Sequence, residues 1–317
     1  MHTYSRVLLA LAALLTIMTA PALAAQKDIT WVGCGISKRG FMEDLAAAYK
    51  KRTGVVIHLE GGGATKGLRD VSSGKSDLGG SCRLPLVHHV GEGNVSVDPA
   101  ERHVKIIPMG WDALVVIVHK DNHAVKSISL QQLRDVLTGK ITDWKQLGAN
   151  LDHPINLYLR KGKISGVGLT LRQQLFNNAD QNFTSHATIL ASSGKIEKAV
   201  EKDPYALAVS GISSSRHRQV RILGLNGIDP TMANLKAGKY LLYRILFLVA
   251  PPDYTQRPEL KGFVDFALSM DGQNVIEKAG TLPYNKGIGL LRTGASLEYL
   301  LTLDAIDRDG LYTLGGH

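Results

Sequence analysis

Residues 59–68, LEGGGATKGL, join a predicted strand to a predicted helix. The preceding residues, 55–59, are apolar and β-branched, which predicts a buried strand. Leu68 and Val71 then follow at helical spacing. Glycines let backbone N–H groups come close to a ligand, and a helix N-terminus adds free donors and partial positive charge. The stretch therefore predicts an anion-binding loop, and the alternative is an ordinary glycine-rich turn. It is not a Walker A loop, because Lys66 precedes Gly67 instead of following a glycine.

Three other predicted strands also end in loops of small residues. Residues 29–32 lead into GCGIS (33–37), residues 77–82 read DLGGSC, and the strand 155–159 leads into RKGKISGVG (160–168). Strands that alternate with helices indicate an α/β fold with mainly parallel sheets. Ligands bind outside the carboxyl ends of the strands in such sheets. The four loops are therefore expected to lie on one side of the protein.

The first 24 of the 317 residues have the pattern of a secretory signal, with cleavage expected near Ala24. A weakly basic start precedes an apolar run from Val7 to Ala20, and no later apolar run is long enough to span a membrane. The mature chain is long enough for two domains. We therefore expect a soluble protein in the periplasm or secreted.

The chain carries a formal net charge of +9, which raises the possibility of a nucleic-acid partner. Aromatic residues make up only 6% of the chain, however, and no run of lysine and arginine exceeds three residues. These features disfavour nucleic-acid binding. The positive charge either forms a solvated surface or attracts an anionic ligand.

Few residues indicate a metal or a catalytic site. Cys34 and Cys82 have no metal-binding spacing, and two cysteines in an exported protein can form a disulfide. His88–His89, His119 and His123 are interpreted as surface residues. HExxH and GxSxG motifs are absent from the sequence. We expect no metal, no cofactor and no enzymatic activity.

With these loops assembled, the chain resembles the periplasmic phosphate-binding proteins of ABC transporters. The resemblance rests on residues 32–37, 60–67, 77–82, 133–144 (LRDVLTGKITDW), 160–166, 240–251 and 281–284. It implies the α/β fold of type II periplasmic binding proteins, with two lobes, a hinge and an interlobe cleft. One lobe is expected to comprise residues 25–117 and 223–317, and the other residues 118–222. The implied function is capture of phosphate or a related tetrahedral oxyanion, as a monomer, for an ABC transporter permease.

The resemblance also supplies candidate ligand-binding residues. It matches Ser37, Thr65, Arg160 and Ser165–Gly166 to hydroxyl, guanidinium and backbone donors of the family. Ser81 and Arg83 are added because they adjoin the third loop. The candidate set is therefore Ser37, Thr65, Ser81, Arg83, Arg160, Ser165 and Gly166.

Three positions depart from the family pattern: Ala64 replaces a serine, Val167 a threonine, and Cys82 an aspartate. A thiol is a poor acceptor for the proton that phosphate retains near neutral pH. Arg83 would add a further donor if it faced the cleft. We therefore expect phosphate to remain the first ligand, with weakened selectivity over sulfate and molybdate. Asp112 or a backbone carbonyl could supply the missing acceptor.

In the family's sheet the first and third strands are neighbours, so a disulfide between Cys34 and Cys82 is expected. The alternative is a pair of buried thiols near the cleft. Two other functions stay open. The altered loops allow a sensor or scaffold that has lost transport. A phosphate-ester hydrolase using Ser81 or Cys82 is weaker, because no general base can be assigned.

Overall fold

A computed structural model describes residues 28–91, 95–292 and 297–311. The predicted signal and its cleavage site lie outside these residues. The described strands are β1 (Ile29–Gly33), β2 (Ile57–Gly61), β3 (Leu78–Ser81), β4 (Val87–His89), β5 (Val95–Val97), β6 (Lys105–His119), β7 (Ser127–Ile128), β8 (Asn156–Arg160), β9 (Thr188–Leu190), β10 (Ala206–Gly211), β11 (Val220–Ile222), β12 (Gly224–Leu225), β13 (Tyr243–Ala250) and β14 (Leu282–Pro283).

The described α-helices are α1 (Gly35–Ser37), α2 (Glu43–Thr53), α3 (Ala64–Ser72), α4 (Leu130–Thr138), α5 (Gly166–Phe176), α6 (Ser193–Val200), α7 (Ile212–Ser215), α8 (Met232–Lys236), α9 (Pro258–Leu268), α10 (Met270–Lys278) and α11 (Leu297–Arg308). A π-helical turn, Lys38–Met42, joins α1 to α2. Within the described ranges, no helix combines the length and apolar character that crossing a bilayer needs.

Local sequence signals set the ends of several helices. Ser129 and Gln132 form the predicted capping box at the start of α4. That helix ends at Gly139, whose φ of +81° is readily adopted only by glycine. Trp144 lies in the short 3-10 helix Trp144–Leu147 and is fully buried, with its indole N–H donating to the Tyr205 carbonyl at 3.1 Å. The TGKITDW segment therefore anchors α4 to the strand β10 that follows Tyr205.

The strands form a mixed sheet of ten, in the order β2-β1-β3-β13-β6-β10-β8-β9, with β11 and β14 also paired to β6. The long strand β6 is shared by two halves. Its first part pairs with β13 as far as Ala113, and its second part pairs with β10 from Leu114 onward. This change of partner within one strand produces the two lobes of the fold, which confirms the predicted fold class.

Within the ten-stranded sheet, parallel pairing is confined to the strands on either side of β6 and β13. β1 pairs in parallel with β2 and β3, and β8 with β9 and β10. β6 and β13 are antiparallel to their neighbours. The sheet is therefore more mixed than the sequence predicts, because these two long strands lie antiparallel to the βα units on either side of them.

The lobe limits expected from the sequence stay a prediction. The partner change in β6 lies between Ala113 and Leu114, a few residues before the expected limit at residue 117. β12 still pairs with β7, so the chain remains beside the second lobe at residues 224–225. The chain returns to the strands of the first lobe at β13.

One continuous apolar core runs through both lobes. In the first, Trp31 of β1 and Phe41 are fully buried, and Tyr49 of α2 meets Phe263 of α9 edge to face with ring centroids 5.3 Å apart. Aromatic pairs in this geometry add stability beyond their buried area. The rigid core holds the carboxyl ends of β1, β2 and β3 in place, and the site is built there.

Candidate functional site

A cavity of about 210 Å³ lies between the lobes at the carboxyl ends of the parallel strands. It is lined by residues that follow β1, β2 and β3 in the first lobe and β8 and β9 in the second. These are Cys34, Gly35, Lys38, Arg39, Glu43, Gly61, Gly62, Gly63, Ala64, Cys82, Arg160, Gly166, Val167, Ser192, Ser193, Gly194 and Arg218. The sequence correctly predicts that the four small-residue loops come together, since each contributes residues to the lining of this one cavity.

The glycine loop forms one wall of this cavity. The N–H groups of Gly62 and Gly63 both donate to the Gly33 carbonyl, at 2.8 and 2.9 Å, which ties the loop to β1. α3 begins at Ala64, and no side chain caps its first turn. The N–H groups of that turn are therefore free to donate to a ligand, and the helix end carries partial positive charge.

Arg160, at the end of β8, forms the opposite wall. A Cβ atom built on Gly63 would lie 2.8 Å from Arg160 Nη2, so the guanidinium rests against the glycine loop across the cleft. Partial burial lowers the pKa of Arg160, and the charge of Cys34 and Cys82 acts the other way. Among the described residues, Arg160 has no hydrogen-bond or ion-pair partner. A partly buried guanidinium of this kind needs an acceptor.

Cys34 and Cys82 lie at the floor of the cavity as free, buried thiols. The expected disulfide is therefore absent from the structure, and the alternative of two buried thiols applies. Burial raises the pKa of Cys34, but a hydrogen bond from Cys82 and the charge of Arg244 outweigh it and bring the pKa to about 7. The hydrogen bond to Cys34 and burial raise the pKa of Cys82 well above its ordinary value. The pair therefore loses its first proton more readily than its second.

Asp112 and Arg244 form a buried ion pair, with Arg244 Nη2 3.1 Å from Asp112 Oδ2. The other oxygen of Asp112 accepts from the Ser213 N–H at 3.0 Å. Asp112 is fully buried and does not line the cavity. It is therefore not available to accept a proton from a ligand, contrary to one expectation from the sequence. Arg244 Nη1 has no hydrogen-bond partner.

Arg83 does not face the cavity. It is 4% exposed, and its two terminal nitrogens each lie 2.8 Å from an oxygen of buried Glu101. Its Nε donates to the carbonyl of Ile164 in the other lobe at 2.9 Å, and Nη2 donates to Thr65 Oγ1 at 3.1 Å. The prediction that Arg83 adds a donor to the ligand site is corrected, because its donors are used by Glu101 and by contacts between the lobes.

The serine and threonine candidates lie beside the cavity with their hydroxyl groups largely engaged. Ser81 donates to the Arg83 carbonyl at 2.6 Å, Thr65 donates to the Ile164 carbonyl at 3.3 Å, and Ser165 caps α5 by accepting from Gly168 N–H at 3.3 Å. Ser37 is fully buried, and its hydroxyl has no partner. Ser81 and Thr65 therefore use their hydroxyl hydrogens within the protein, whereas Ser165 only accepts and Ser37 has no partner.

Gly166 of the second lobe packs against Cys82 of the first. A Cβ atom at this position would lie 2.3 Å from Cys82 Sγ. Any side chain here would collide with the thiol, so glycine is required for the lobes to meet. The structure thus brings Arg160 and Gly166 of the candidate set into the cavity and leaves Thr65, Ser81 and Arg83 in the surrounding network.

Sequence reasoning missed the second-lobe segment Ser192–Gly194 and the first-lobe residues Lys38 and Arg39. Ser192 caps α6 by accepting from Lys195 N–H at 3.2 Å, and Lys38 donates to the Leu59 carbonyl at 3.0 Å. The signal was present in the sequence SSGK before a predicted helix. It is the same combination of small residues and helix start that identifies the glycine loop.

Comparison with known proteins agrees with this geometry. The family model described as a PBP superfamily domain matches residues 24–271. The chain is 26% identical over 228 residues to the phosphate-binding protein PstS of Bacillus subtilis, covering 72% of this chain and 71% of that protein. It is 24% identical over 196 residues to PstS of Borreliella burgdorferi, covering 60% and 69%.

Among solved structures, the fold matches a candidate phosphate ABC transporter substrate-binding protein with bound phosphate from Clostridium perfringens. The TM-score is 0.68 at 26% identity, and the match covers 81% of this chain and 99% of that one. The shared architecture, together with a family model that spans most of the sequence, shows that this chain belongs to the PBP superfamily.

Proposed function

We propose that the protein is an extracytoplasmic solute-binding protein that captures phosphate, or a related tetrahedral oxyanion, for an ABC transporter permease. The observation that carries the proposal is Arg160. Its guanidinium is partly buried, rests across the cleft from the uncapped first turn of α3, and has no acceptor among the described residues. An oxyanion supplies the missing acceptor oxygens.

The names of the relatives agree with this ligand. The two relatives compared above are named phosphate-binding proteins, and the Clostridium perfringens structure contains bound phosphate. These proteins are transport components, so we expect binding without turnover. Release of product from a chromogenic phosphate ester would contradict this expectation.

This cleft differs from the family pattern at residues that should affect its selectivity among anions. Cys82 stands in place of the aspartate, and Asp112 is occupied by Arg244 and Ser213. A buried donor that meets the proton of phosphate without an acceptor costs about 1–3 kcal/mol. Competition calorimetry near neutral pH should therefore show that excess sulfate or molybdate weakens phosphate binding. Phosphate binding that is indifferent to both would contradict this role of Cys82.

The first test is calorimetric titration with phosphate after bound anions have been removed by unfolding and refolding. The wild-type protein should bind one phosphate. Arg160→Ala should weaken binding by about 2–5 kcal/mol, because a desolvated charged donor is lost from an anion site. Lys161→Ala is the matched control: this neighbouring cation is exposed, so solvent and salt screen its charge. Equal losses in the two variants would contradict the proposed site.

A further inference from the structure

The pair of thiols at the floor of the cleft is held in place by the sheet. Gly33 of β1 lies opposite Gly80 of β3, and the N–H of Cys34 donates to the Gly80 carbonyl at 2.9 Å. Cys82 follows β3 by one residue, and its thiol acts on the pKa of Cys34. Both residues line the cavity and neither is in a disulfide. Two thiols on neighbouring strands are thus presented to whatever occupies the cleft.

Charges around the pair favour one thiolate at neutral pH. Buried Arg244 and half-buried Arg160 both act electrostatically on the two sulfurs. Burial raises the pKa of Cys34, but the interaction with Cys82 and the charge of Arg244 outweigh burial and lower the pKa to about 7. The thiolate is the form of cysteine that attacks an electrophile or binds a soft centre. Cys82 keeps its proton and can pass it to a leaving group.

We propose that Cys34 and Cys82 together bind a trivalent thiophilic oxyacid, arsenious acid being the simplest, in the cleft that the proposed function assigns to an oxyanion. This inference deepens the proposed function and rests on it for access to the site. Two As–S bonds form and two As–O bonds break. One departing hydroxide takes the proton of Cys82, the other takes from solvent the proton that Cys34 released on ionising, and both leave as water. The oxidation state of arsenic does not change, so no oxidant or reductant is needed.

An oxyacid fits these residues better than a bare metal ion does. Across the described residues, no group of three or more histidine, cysteine and carboxylate side chains is arranged to hold a metal. Two sulfurs on neighbouring strands that open onto one cavity can both bond to a single pyramidal centre. The oxyacid also retains one hydroxyl, and Arg160 and the first turn of α3 provide donors for its oxygen.

Gly166 restricts where the ligand can bind. Because a Cβ atom there would lie 2.3 Å from Cys82 Sγ, the sulfur is covered by α5 on that side. The two thiols can be reached together from the cavity that both of them line. A ligand on the sulfurs occupies the same space as phosphate, so the two should compete.

The test uses the mature protein reduced with a phosphine, since a dithiol reductant would itself bind the probe. Sodium arsenite is titrated by calorimetry, and free thiols are counted by mass spectrometry after alkylation of the denatured protein. We expect one arsenic per chain and loss of both free thiols together. Cys34→Ser and Cys82→Ser should each weaken binding by about 100-fold or more, because the second bond no longer forms within the same molecule.

Cys34→Ala and Cys82→Ala provide a second set of variants, and thermal unfolding shows whether each variant is folded. Lys161→Ala should bind arsenite as the wild type does. Excess phosphate should weaken arsenite binding to the wild-type protein. Arsenite binding that is equally strong in a folded variant lacking either thiol would overturn the inference, as would no binding to the reduced wild type.

Separate titrations distinguish this inference from the proposed function. Phosphate binding without arsenite binding removes the inference and leaves the proposed function standing. Cysteine-dependent arsenite binding without phosphate binding supports the thiol site and removes phosphate as the ligand. A disulfide in the protein as isolated overturns the inference if arsenite still fails to bind after reduction, and arsenite binding after that reduction supports it.

Discussion

Arg83 and Arg160 are both arginines at the cleft region, but their surroundings give them different roles. Arg83 is buried and forms two 2.8 Å hydrogen bonds with fully buried Glu101. Arg160 is half-buried and has no ion-pair partner in the described part of the chain. We infer that the first arginine stabilises the fold and the second binds the ligand.

Arg83→Ala should therefore reduce stability more than anion affinity. Removing one partner leaves Glu101 as an uncompensated buried charge, which typically costs about 3–5 kcal/mol. Denaturant unfolding followed by circular dichroism measures the loss, and phosphate calorimetry on the folded variant measures affinity. The prediction fails if Arg83→Ala unfolds like the wild type but loses phosphate binding as Arg160→Ala does.

The thiol pair predicts a pH dependence. The pKa of Cys34 is lowered to about 7 from an ordinary value of 9.0. The ionised Cys34 thiol therefore adds its full contribution to the free energy of unfolding at pH values above 9.0. That contribution is lost as the pH falls from 9 through 7. The raised pKa of Cys82 lowers the free energy of unfolding, and it does so only at pH values where a thiol of the unfolded chain ionises.

Thiolate absorbance of the native protein should consequently rise with a midpoint near pH 7, by one thiolate per chain. Cys34→Ser should abolish this transition, because the thiol that ionises near pH 7 is removed and Cys82 is left without a partner thiol. If both thiols ionise together at the ordinary pKa of a free cysteine, the shared-proton arrangement is wrong.

At the scale of elements, the junction between β2 and α3 depends on Gly63. Its φ of +91° and ψ of 168° lie in a region that essentially only glycine adopts. A Cβ atom there would also press on Arg160 Nη2 at 2.8 Å. The start of α3 and the position of Arg160 are therefore coupled across the cleft.

Gly63→Ala should destabilise the protein by about 1–3 kcal/mol from backbone strain and should also weaken phosphate binding by displacing Arg160. Gly62→Ala is the matched control. Its Cβ atom would meet only the flexible side chain of Lys66, which can move away. Thermal unfolding and calorimetry of the two variants provide the comparison. Similar losses in both would show that the loop, and not the contact with Arg160, sets the affinity.

At the scale of the whole molecule, the two lobes meet through contacts beside the cleft. Arg83 and Thr65 of the first lobe both donate to the Ile164 carbonyl of the second, at 2.9 and 3.3 Å. The lobes are joined by the long strand β6, whose partner changes at Ala113 and Leu114. A few such contacts hold the cleft closed, and a ligand that bridges the lobes adds to them.

Phosphate should therefore make the protein more compact. Small-angle X-ray scattering should give a smaller radius of gyration with saturating phosphate than without it. Arg160→Ala should show no change, because it removes the donor that the second lobe contributes. An unchanged radius of gyration in wild-type protein that binds phosphate by calorimetry would rule out closure as the mechanism.

Short-range patterns in the sequence are enough to predict the structural units of this protein. Each strand that ends in a small-residue loop and continues into a helix was identifiable, because strand periodicity, glycine conformation and helix capping depend on residues a few positions apart. The capping box at Ser129, the end of α4 at Gly139 and the start of α3 after Gly63 all follow from such short-range rules. The cavity forms where these loops converge, and Arg160 and Gly166 lie in it.

Which of the polar residues face that cavity depends on contacts between residues far apart in the sequence. Arg83 is drawn to Glu101, 18 residues away, and Thr65 to Ile164, 99 residues away. Asp112 is taken by Arg244, and the thiols of Cys34 and Cys82 meet because β1 and β3 are neighbours. These partners are set by the order of strands and by how the lobes pack. Local periodicity does not encode that order. Polar side chains that look equally suited to bind an anion in the sequence therefore differ in the structure, where some stabilise the fold and others are available to the ligand.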